Sequence, residues 1–193
     1  LGSSEMLDLQ MLFGEPGPCI PIVANALRSE PDIWIAYSHD PDERDSRVFE
    51  TLAHCPRPAV LYVTQPKKAE EWAARLRVSG YSRIATVTGL STPEERSAAL
   101  RGIRADADDA RALDLVVATS AFGLGIDYPH VRSIIHACIP ETIDRWYQEL
   151  GRAGRDGDIC SAYFLAAPGD DAEADSLGVK VLSPEVAAKR WDD

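Results

Sequence analysis

The amino-acid sequence predicts an α/β protein, a doubly wound and mainly parallel sheet with helices on both faces. Two observations carry this prediction. Short apolar runs, several of them rich in Val and Ile, recur along the chain as they do in strands that are covered on both faces. Between these runs lie stretches whose apolar residues follow the helical spacing. Alternation of strands and helices is typical of parallel sheets.

The predicted strands are the short apolar runs, which breakers or polar residues separate from one another. They lie at residues 33–37, 59–64, 84–87, 113–118, 131–137 and 162–165. Several consist almost entirely of apolar residues, so we expect them to be buried on both faces of the sheet.

Periodicity and capping residues predict the helices. Residues 67–79 place four apolar side chains on one face: Ala69, Trp72, Ala73 and Leu76. The next helix begins at Thr92, which can cap it, and Pro93 suits its first position. Residues 142–151 carry Ile143, Trp146, Tyr147 and Leu150 on one stripe, and weaker helices are predicted at 42–54 and 5–13.

The composition fits one globular domain whose contacts with DNA are local or need another domain. The chain has 193 residues, of which 45% are hydrophobic, and a net charge of −11. This charge argues against an autonomous nucleic-acid binder, so any contact with DNA should be local. The acidic runs at 40–45, 106–109 and 170–175 are expected to be solvated loops. No apolar run approaches the roughly 20 residues of a membrane span, and a signal peptide is not visible.

The four cysteines are scattered. Cys19, Cys55, Cys138 and Cys160 form no Cys-x-x-Cys pair, which argues against a zinc ribbon. Cys138 and Cys160 lie in apolar stretches and are expected to be small buried hydrophobic residues. This usage is typical of a reducing compartment and predicts a cytoplasmic protein.

Two arginines follow the predicted helix at 142–151. Arg152 and Arg155 each stand directly behind a glycine, and Asp156-Gly157 comes after them. A guanidinium is always charged, and its planar fork matches phosphate oxygens. The glycines allow the backbone to turn and to approach a ligand closely. The pattern therefore predicts a phosphate site, although an isolated pair of this kind would more often be structural.

A second string, residues 116–127, is an apolar strand that runs into a turn of small residues. Thr119 and Ser120 stand at the carboxyl end of the strand, where ligands bind in open α/β sheets. Asp127 follows Gly125 at the end of the turn, and its carboxylate can accept hydrogen bonds from ribose hydroxyls. Local alternatives remain open. The hydroxyls can bond within the turn, and Asp127 can form an Asx turn before Pro129.

Together the two strings resemble motifs V and VI of superfamily 2 helicases, specifically of RecQ-like DNA helicases. The resemblance implies a RecA-like domain in which Arg152 and Arg155 reach the γ-phosphate of ATP across a cleft. In this comparison Arg155 corresponds to the arginine finger. It also implies that Gln148 positions the arginines or the attacking water. Gly125 and Asp127 would bind the nucleotide, and Thr119 and Ser120 would meet the DNA backbone.

Two further segments resemble family motifs that contact DNA. Residues 61–65 are similar to motif IV, where Thr64 would either cap the following helix or help to hold a DNA phosphate. Thr88 and Gly89 match a segment that follows the next strand. Val87 departs from the family, because many relatives have a histidine there. His136 lies within an apolar strand and is expected to be structural, and no residue is assigned to a metal site.

The resemblance covers residues 31–168, the RecA-like helicase C-terminal domain. Residues 1–30 would be the tail of a preceding motor domain or the interdomain connection, and 169–193 the start of a C-terminal extension. The sequence has no P-loop and no Asp-Glu-x-His motif. ATP and Mg²⁺ are therefore expected to bind mainly to a first RecA-like domain outside this sequence, and the 193-residue chain alone is expected to be inactive.

The resemblance implies an ATP-dependent DNA helicase that binds a single strand or a duplex junction, with no membrane partner. Two alternatives stay open. One is a superfamily 2 translocase that moves on DNA without unwinding it. The other is a non-catalytic scaffold that keeps the helicase fold and binds a protein partner through its acidic surface.

Overall fold

The computed structural model describes residues 3–14, 17, 20, 30–122 and 130–178. Among them are six strands: β1 (Asp32–Tyr37), β2 (Ala59–Tyr62), β3 (Ile84–Val87), β4 (Leu115–Ala118), β5 (Ser133–His136) and β6 (Ser161–Ala166). The helices are α1 (Ser3–Phe13), α2 (Pro41–His54), α3 (Pro66–Val78), α4 (Pro93–Arg104), α5 (Ile143–Leu150) and α6 (Asp170–Gly178). No helix of this described part is long and apolar enough to cross a membrane.

The strands form one sheet in the order β1-β6-β5-β2-β4-β3, and every pairing is parallel. This confirms the predicted α/β class and the parallel sheet. From β2 the chain proceeds to β3 and β4 on one side and then returns to place β5 on the other. The carboxyl ends of β2, β4 and β5 therefore border the crevice in which open α/β sheets bind ligands.

Two apolar layers cover the sheet. Alternate strand residues such as Leu61 and Val117 pack against α2 and α3, in the layer that contains Leu52, Trp72 and Leu76. Their neighbours along the strands pack on the other face with Ile103 and Phe122. The central strands β2, β4 and β5 are fully buried, as the near-continuous apolar runs predict.

The edge strand β1 differs from its prediction. Trp34 and Ile35 are 62% and 71% exposed, although the apolar run predicts burial on both faces. The strand pairs with β6 alone, because it lies at the edge of the sheet. An apolar run indicates a strand, but it does not indicate how many layers cover it.

Helix starts follow the sequence closely at two of three positions. Thr92 forms a complete capping box with Glu95, and the Thr142 hydroxyl accepts a hydrogen bond from the Arg145 amide. At α3 the structure excludes the alternative in which Thr64 caps the helix, and the DNA contact of Thr64 stays a prediction. Gln65 is the N-cap residue and makes no side-chain capping bond, while Thr64 lies outside the helix. The Thr64 hydroxyl instead donates to the carboxylate of Glu173 in α6.

The apolar stripe assigned to α5 is only partly correct. Leu150 is buried, but Ile143 is 73% exposed, and the acidic Glu149 is buried in its place. Periodicity identifies the helix. It does not predict that the Glu149 carboxylate is buried against His136 of β5.

Two of the three acidic runs are helical starts and not the expected solvated loops. Asp40 caps α2 by accepting a hydrogen bond from the Glu43 amide. Asp170 opens α6 and is buried, because its carboxylate accepts hydrogen bonds of 2.7 and 3.0 Å from Arg44. Acidic residues stabilise helix N-termini, which gives these runs a structural role.

Candidate functional site

The two candidate phosphate-binding arginines lie in the turn that follows α5. Gly151 ends the helix, and the Arg155 Nε donates to the Gly151 carbonyl at 2.8 Å. The Arg155 side chain is exposed, whereas that of Arg152 is half-buried. The turn thus folds back on the helix end and presents the Arg155 guanidinium at the surface.

The backbone conformation and close surroundings of Gly154, between the arginines, favour glycine. Its φ is +61°, which side chains rarely adopt, and a Cβ atom here would lie 2.4 Å from Cys160 Sγ. Gly157 also has a positive φ of +85°, but a Cβ there would meet nothing within 4 Å. Of these two glycines, Gly154 therefore needs the absence of a side chain more, because its backbone lies close to Cys160.

The far end of the same turn is fastened to the start of β5. The Arg132 guanidinium donates to both carboxylate oxygens of Asp156, at 2.9 and 2.6 Å. These bonds hold the pKa of Asp156 well below its usual range. The fork geometry fixes the direction in which the chain leaves the arginine turn.

Behind the turn, a buried pair joins α5 to the sheet. His136 Nε2 lies 2.9 Å from the Glu149 Oε2, and both side chains are almost wholly excluded from solvent. The imidazole also stacks on Tyr62, with ring centroids 5.1 Å apart. His136 is thus a structural residue, as expected, and its partner holds the last turn of the helix that leads to the arginines.

Gln148 lies apart from Arg155. It is exposed on α5 and lines a surface pocket with Glu141, Arg145 and Leu177, whereas Arg155 lines a different pocket with Glu30 and Gly157. The structure therefore does not bring Gln148 and Arg155 into one pocket. A shared role in positioning water stays a prediction.

At the carboxyl edge of the sheet, two predicted DNA-contact residues come together. Thr64 after β2 and Ser120 after β4 line one crevice, which Pro140 and Leu177 also border. The crevice lies beside the central strand, at the point where the order of the strands reverses.

Thr88 and Gly89 pack against the turn that contains Thr119. The distance from a Cβ built on Gly89 to the Ala121 Cβ would be 3.9 Å, and the Thr119 amide donates to the Val87 carbonyl. Thr88 and Thr119 are buried, and the Thr88 hydroxyl accepts a hydrogen bond from the Leu90 amide. The Thr88 hydroxyl is therefore used within its own turn.

Arg96 of α4 holds these two segments together, and the sequence analysis did not single it out. Its guanidinium donates to the carbonyls of Ser91, Thr88 and Gly89 at 3.1 to 3.2 Å and to that of Ala121 at 3.5 Å. An arginine one turn after a capped helix start is a common surface pattern, so the sequence carried no distinguishing signal for this role.

Glu173 of α6 is a second residue that the sequence analysis missed. Its carboxylate accepts hydrogen bonds from Thr64 Oγ1 at 2.8 Å, from Gln65 Nε2 at 2.7 Å and from Lys68 Nζ at 2.5 Å. Burial raises the pKa of Glu173, whereas the hydrogen bonds from Lys68 and Thr64 lower it. The lowering is the larger effect in sum, so the pKa lies below its ordinary value. Because the acidic run at 170–175 was expected to be a solvated loop, no partner was predicted for Glu173.

The described cysteines are buried free thiols: Cys55, Cys138 and Cys160. Burial, together with the nearby charge of Glu149, raises the pKa of Cys138 well above its usual value. The small-hydrophobic interpretation of Cys138 and Cys160 agrees with this environment. Cys19, Gly125 and Asp127 lie outside the described residues, so the proposed nucleotide contacts of Gly125 and Asp127 stay predictions.

Comparison with known proteins identifies the family. The family profile described as "Helicase conserved C-terminal domain" matches residues 45–157, which is more than half of the chain. The chain is also 32% identical over 131 residues to the probable ATP-dependent DNA helicase RecS of Bacillus subtilis, and 37% identical over 113 residues to the ATP-dependent DNA helicase RecQ of Pasteurella multocida. The chain belongs to the RecQ-like helicase C-terminal domains.

The RecQ-like relatives are much longer than this chain. The RecS alignment covers 68% of the chain and 25% of RecS, and the RecQ alignment covers 58% of the chain and 17% of RecQ. The chain thus spans a quarter or less of the length of these relatives.

Solved structures share the RecA-like fold of this helicase C-terminal domain. The Escherichia coli DEAD-box protein SrmB, bound to the regulator RraA, superposes with a TM-score of 0.65 at 20% identity, covering 75% of this chain and 82% of that one. The Chaetomium thermophilum RNA-helicase Prp28, bound to ADP, gives a TM-score of 0.58 at 26% identity, covering 78% of this chain and 35% of that one.

Proposed function

We propose that this chain is the second motor domain of an ATP-dependent DNA helicase. In this role it supplies Arg152 and Arg155 to ATP at a cleft between two RecA-like domains, and its carboxyl edge contacts the backbone of the DNA strand. The names of the RecQ-like relatives support ATP-dependent action on DNA.

The exposed Arg155 turn is the observation that carries the proposal. The glycine at position 154 cannot be replaced without a clash, and Arg132 fastens the end of the turn through Asp156. A fastened turn that presents a planar cation at the surface suits a phosphate that arrives from another domain.

The residues of the turn fit the phosphate groups of ATP. Arg155 and Arg152 would bind the terminal phosphate, and their charge would stabilise the negative charge that develops there during hydrolysis. When bound, ATP would supply the free energy for movement along DNA. The adenine, the remaining phosphates and Mg²⁺ would be held mainly by the first RecA-like domain of the same protein.

The DNA strand would pass the carboxyl edge of the sheet. Thr64 and Ser120 line the crevice there, and the Thr88–Gly89 and Thr119 segments lie beside it, held by Arg96. Because the Thr88 hydroxyl is used within its own turn, we expect this segment to contact phosphates through its backbone.

Steady-state ATPase kinetics of the full-length protein test the proposal. Arg155→Ala should lower the kcat of DNA-stimulated hydrolysis by about 10³-fold or more, since arginine fingers contribute roughly 10³–10⁵. KM for ATP should change less, because most binding contacts would lie on the other domain. Arg155→Lys should not restore the rate, because an ammonium lacks the planar fork.

Arg111→Ala is the matched control, since Arg111 is an exposed arginine that pairs only locally with Asp109 in the described structure. It should leave kcat unchanged. Near-normal kcat in folded Arg155→Ala protein would overturn the motor assignment and favour the non-catalytic scaffold. Intact ATPase with no strand displacement in the wild-type protein would favour the translocase.

A further inference from the structure

Helix α6 lies across the edge of the sheet where the DNA strand is proposed to pass. Leu177 lines the crevice with Thr64 and Ser120, and Glu173, one turn earlier, bonds to Thr64 directly. Residues four apart lie on the same face of a helix, so one face of α6 covers this edge.

The helix is fastened at its start. The buried carboxylate of Asp170 accepts two hydrogen bonds from Arg44 of α2 and a third, of 2.9 Å, from the Ala167 amide. Beyond this anchor, Asp171 and Asp175 are exposed. Among the described residues, Glu173 is therefore the one side chain in the body of α6 that makes polar contacts with the crevice.

The contacts of Glu173 have the chemistry of a phosphate site. A hydroxyl, an amide and an ammonium converge on one carboxylate, at 2.5 to 2.8 Å. The same donors would serve a phosphodiester oxygen equally well. They also stand at the start of α3, whose first turn holds no acidic side chain of its own. The positive end of a helix adds to the attraction for an anion.

The donors around Glu173 favour the charged form of its carboxylate. Its side chain is 14% exposed, and within the described part of the chain the Lys68 ammonium pairs with Glu173 alone. The bonds from Lys68 and Thr64 lower the pKa of the half-buried Glu173 carboxylate below its usual value, so these donors stabilise an anion, as they would stabilise a phosphate.

We propose that Glu173 is an internal competitor of the DNA phosphate, so that α6 autoinhibits the strand-binding edge. The group of Thr64, Gln65 and Lys68 binds either the Glu173 carboxylate or a phosphate of the strand. The strand displaces the body of α6 while the Asp170–Arg44 anchor stays closed. This inference rests on the proposed contact between Thr64 and DNA, and it adds the regulation of that contact.

Binding of a fluorescent oligothymidylate to the 193-residue chain at low ionic strength, followed by anisotropy, tests the inference. Wild-type binding should be weak because of the net charge of −11. Glu173→Gln, which keeps the shape of the side chain, should tighten binding about fivefold, the gain expected when a partly exposed ion pair of about 1 kcal/mol no longer competes.

Asp171→Asn is the matched control, because it removes one negative charge from an exposed position of the same helix. Its effect should be much smaller than that of Glu173→Gln. Adding Lys68→Ala to Glu173→Gln should abolish the gain. Equal gains in the two single variants, or a gain that survives the loss of Lys68, would mean that only net charge matters and would overturn the inference.

A second probe separates this inference from the proposed function. Inorganic phosphate, titrated calorimetrically, should also bind Glu173→Gln more tightly than wild type. A Lys68-dependent gain for phosphate but not for the oligothymidylate would overturn DNA as the competing ligand, and with it the contact at Thr64. A gain for neither probe would overturn the role of Glu173 alone, since the Arg155 kinetics test the motor assignment independently.

Discussion

The imidazole of His136 and the carboxylate of Glu149 lie 2.9 Å apart, between the central part of the sheet and the last turn of α5. Both side chains are buried, so the contact replaces the water that each group would otherwise bind. The arginine turn begins two residues after Glu149. The pair thus connects the sheet with the segment that is proposed to act on the nucleotide.

Glu149→Ala should destabilise the chain by about 3 kcal/mol, because it leaves the buried imidazole without its partner. Glu149→Gln keeps an acceptor at the same place and should cost less. Urea unfolding followed by circular dichroism measures both values. Glu70→Ala, at an exposed position of α3, is the control and should change stability by less than about 0.5 kcal/mol. Equal stability of Glu149→Ala and wild type would show that the pair contributes nothing.

Gly154→Ala should destabilise the chain by about 2–4 kcal/mol, from the positive φ and the clash with Cys160. Gly157→Ala meets no neighbour and should cost only the conformational part, about 1–2 kcal/mol. Combining Gly154→Ala with Cys160→Ala should cost less than the sum of the two single changes, since the sulfur is the closest atom. A strictly additive double mutant would argue against the clash.

Arg96→Ala should loosen the contact between the Thr88–Gly89 loop and the turn after β4. The change removes donors to four carbonyls and should cost about 1–2 kcal/mol. Hydrogen exchange should accelerate at residues 88–91 and 119–122. Arg101→Ala, at an exposed position of the same helix, should leave exchange there unchanged. Protection that survives Arg96→Ala would show that the two segments are held by other contacts.

Acidification should weaken the attachment of α6. The folded pKa of Glu173 is below its ordinary value of 4.5, so its contacts contribute their full stability above that pH. The contribution is lost as the pH falls through the folded pKa. The difference in unfolding free energy between wild type and Glu173→Gln should therefore shrink between neutral pH and about pH 3. A difference that does not change with pH would mean that the carboxylate gains nothing from its charge.

The secondary structure and the class of fold could be predicted from local patterns. The run at 84–87 predicts β3 with the bounds that the structure has, and Thr92 with Glu95 marks the start of α4. These signals are local, because a short apolar run and a helix cap each involve residues within a few positions of each other. The glycine and arginine pattern at 151–155 is also a local signal, since its residues lie in one turn of the chain.

The contacts that cover the candidate site could not be predicted in this way. Thr64 and Glu173 are 109 residues apart, and Arg44 and Asp170 are 126 apart. The same acidic residues would suit a solvated loop equally well, so the pattern at 170–175 cannot distinguish the two. The roles assigned to the site residues, the domain limits and the cytoplasmic location also stay predictions.

The sequence by itself determined a parallel α/β domain, the positions of most of its helices and strands, and the turn that carries Arg152 and Arg155. The tertiary structure alone decided that Glu149 is buried against His136, that Arg96 joins two loops, and that Glu173 takes the donors at the start of α3. The reason is physical. Periodicity reports which side of an element avoids water, whereas the partner of a buried charge depends on which distant element the fold places beside it.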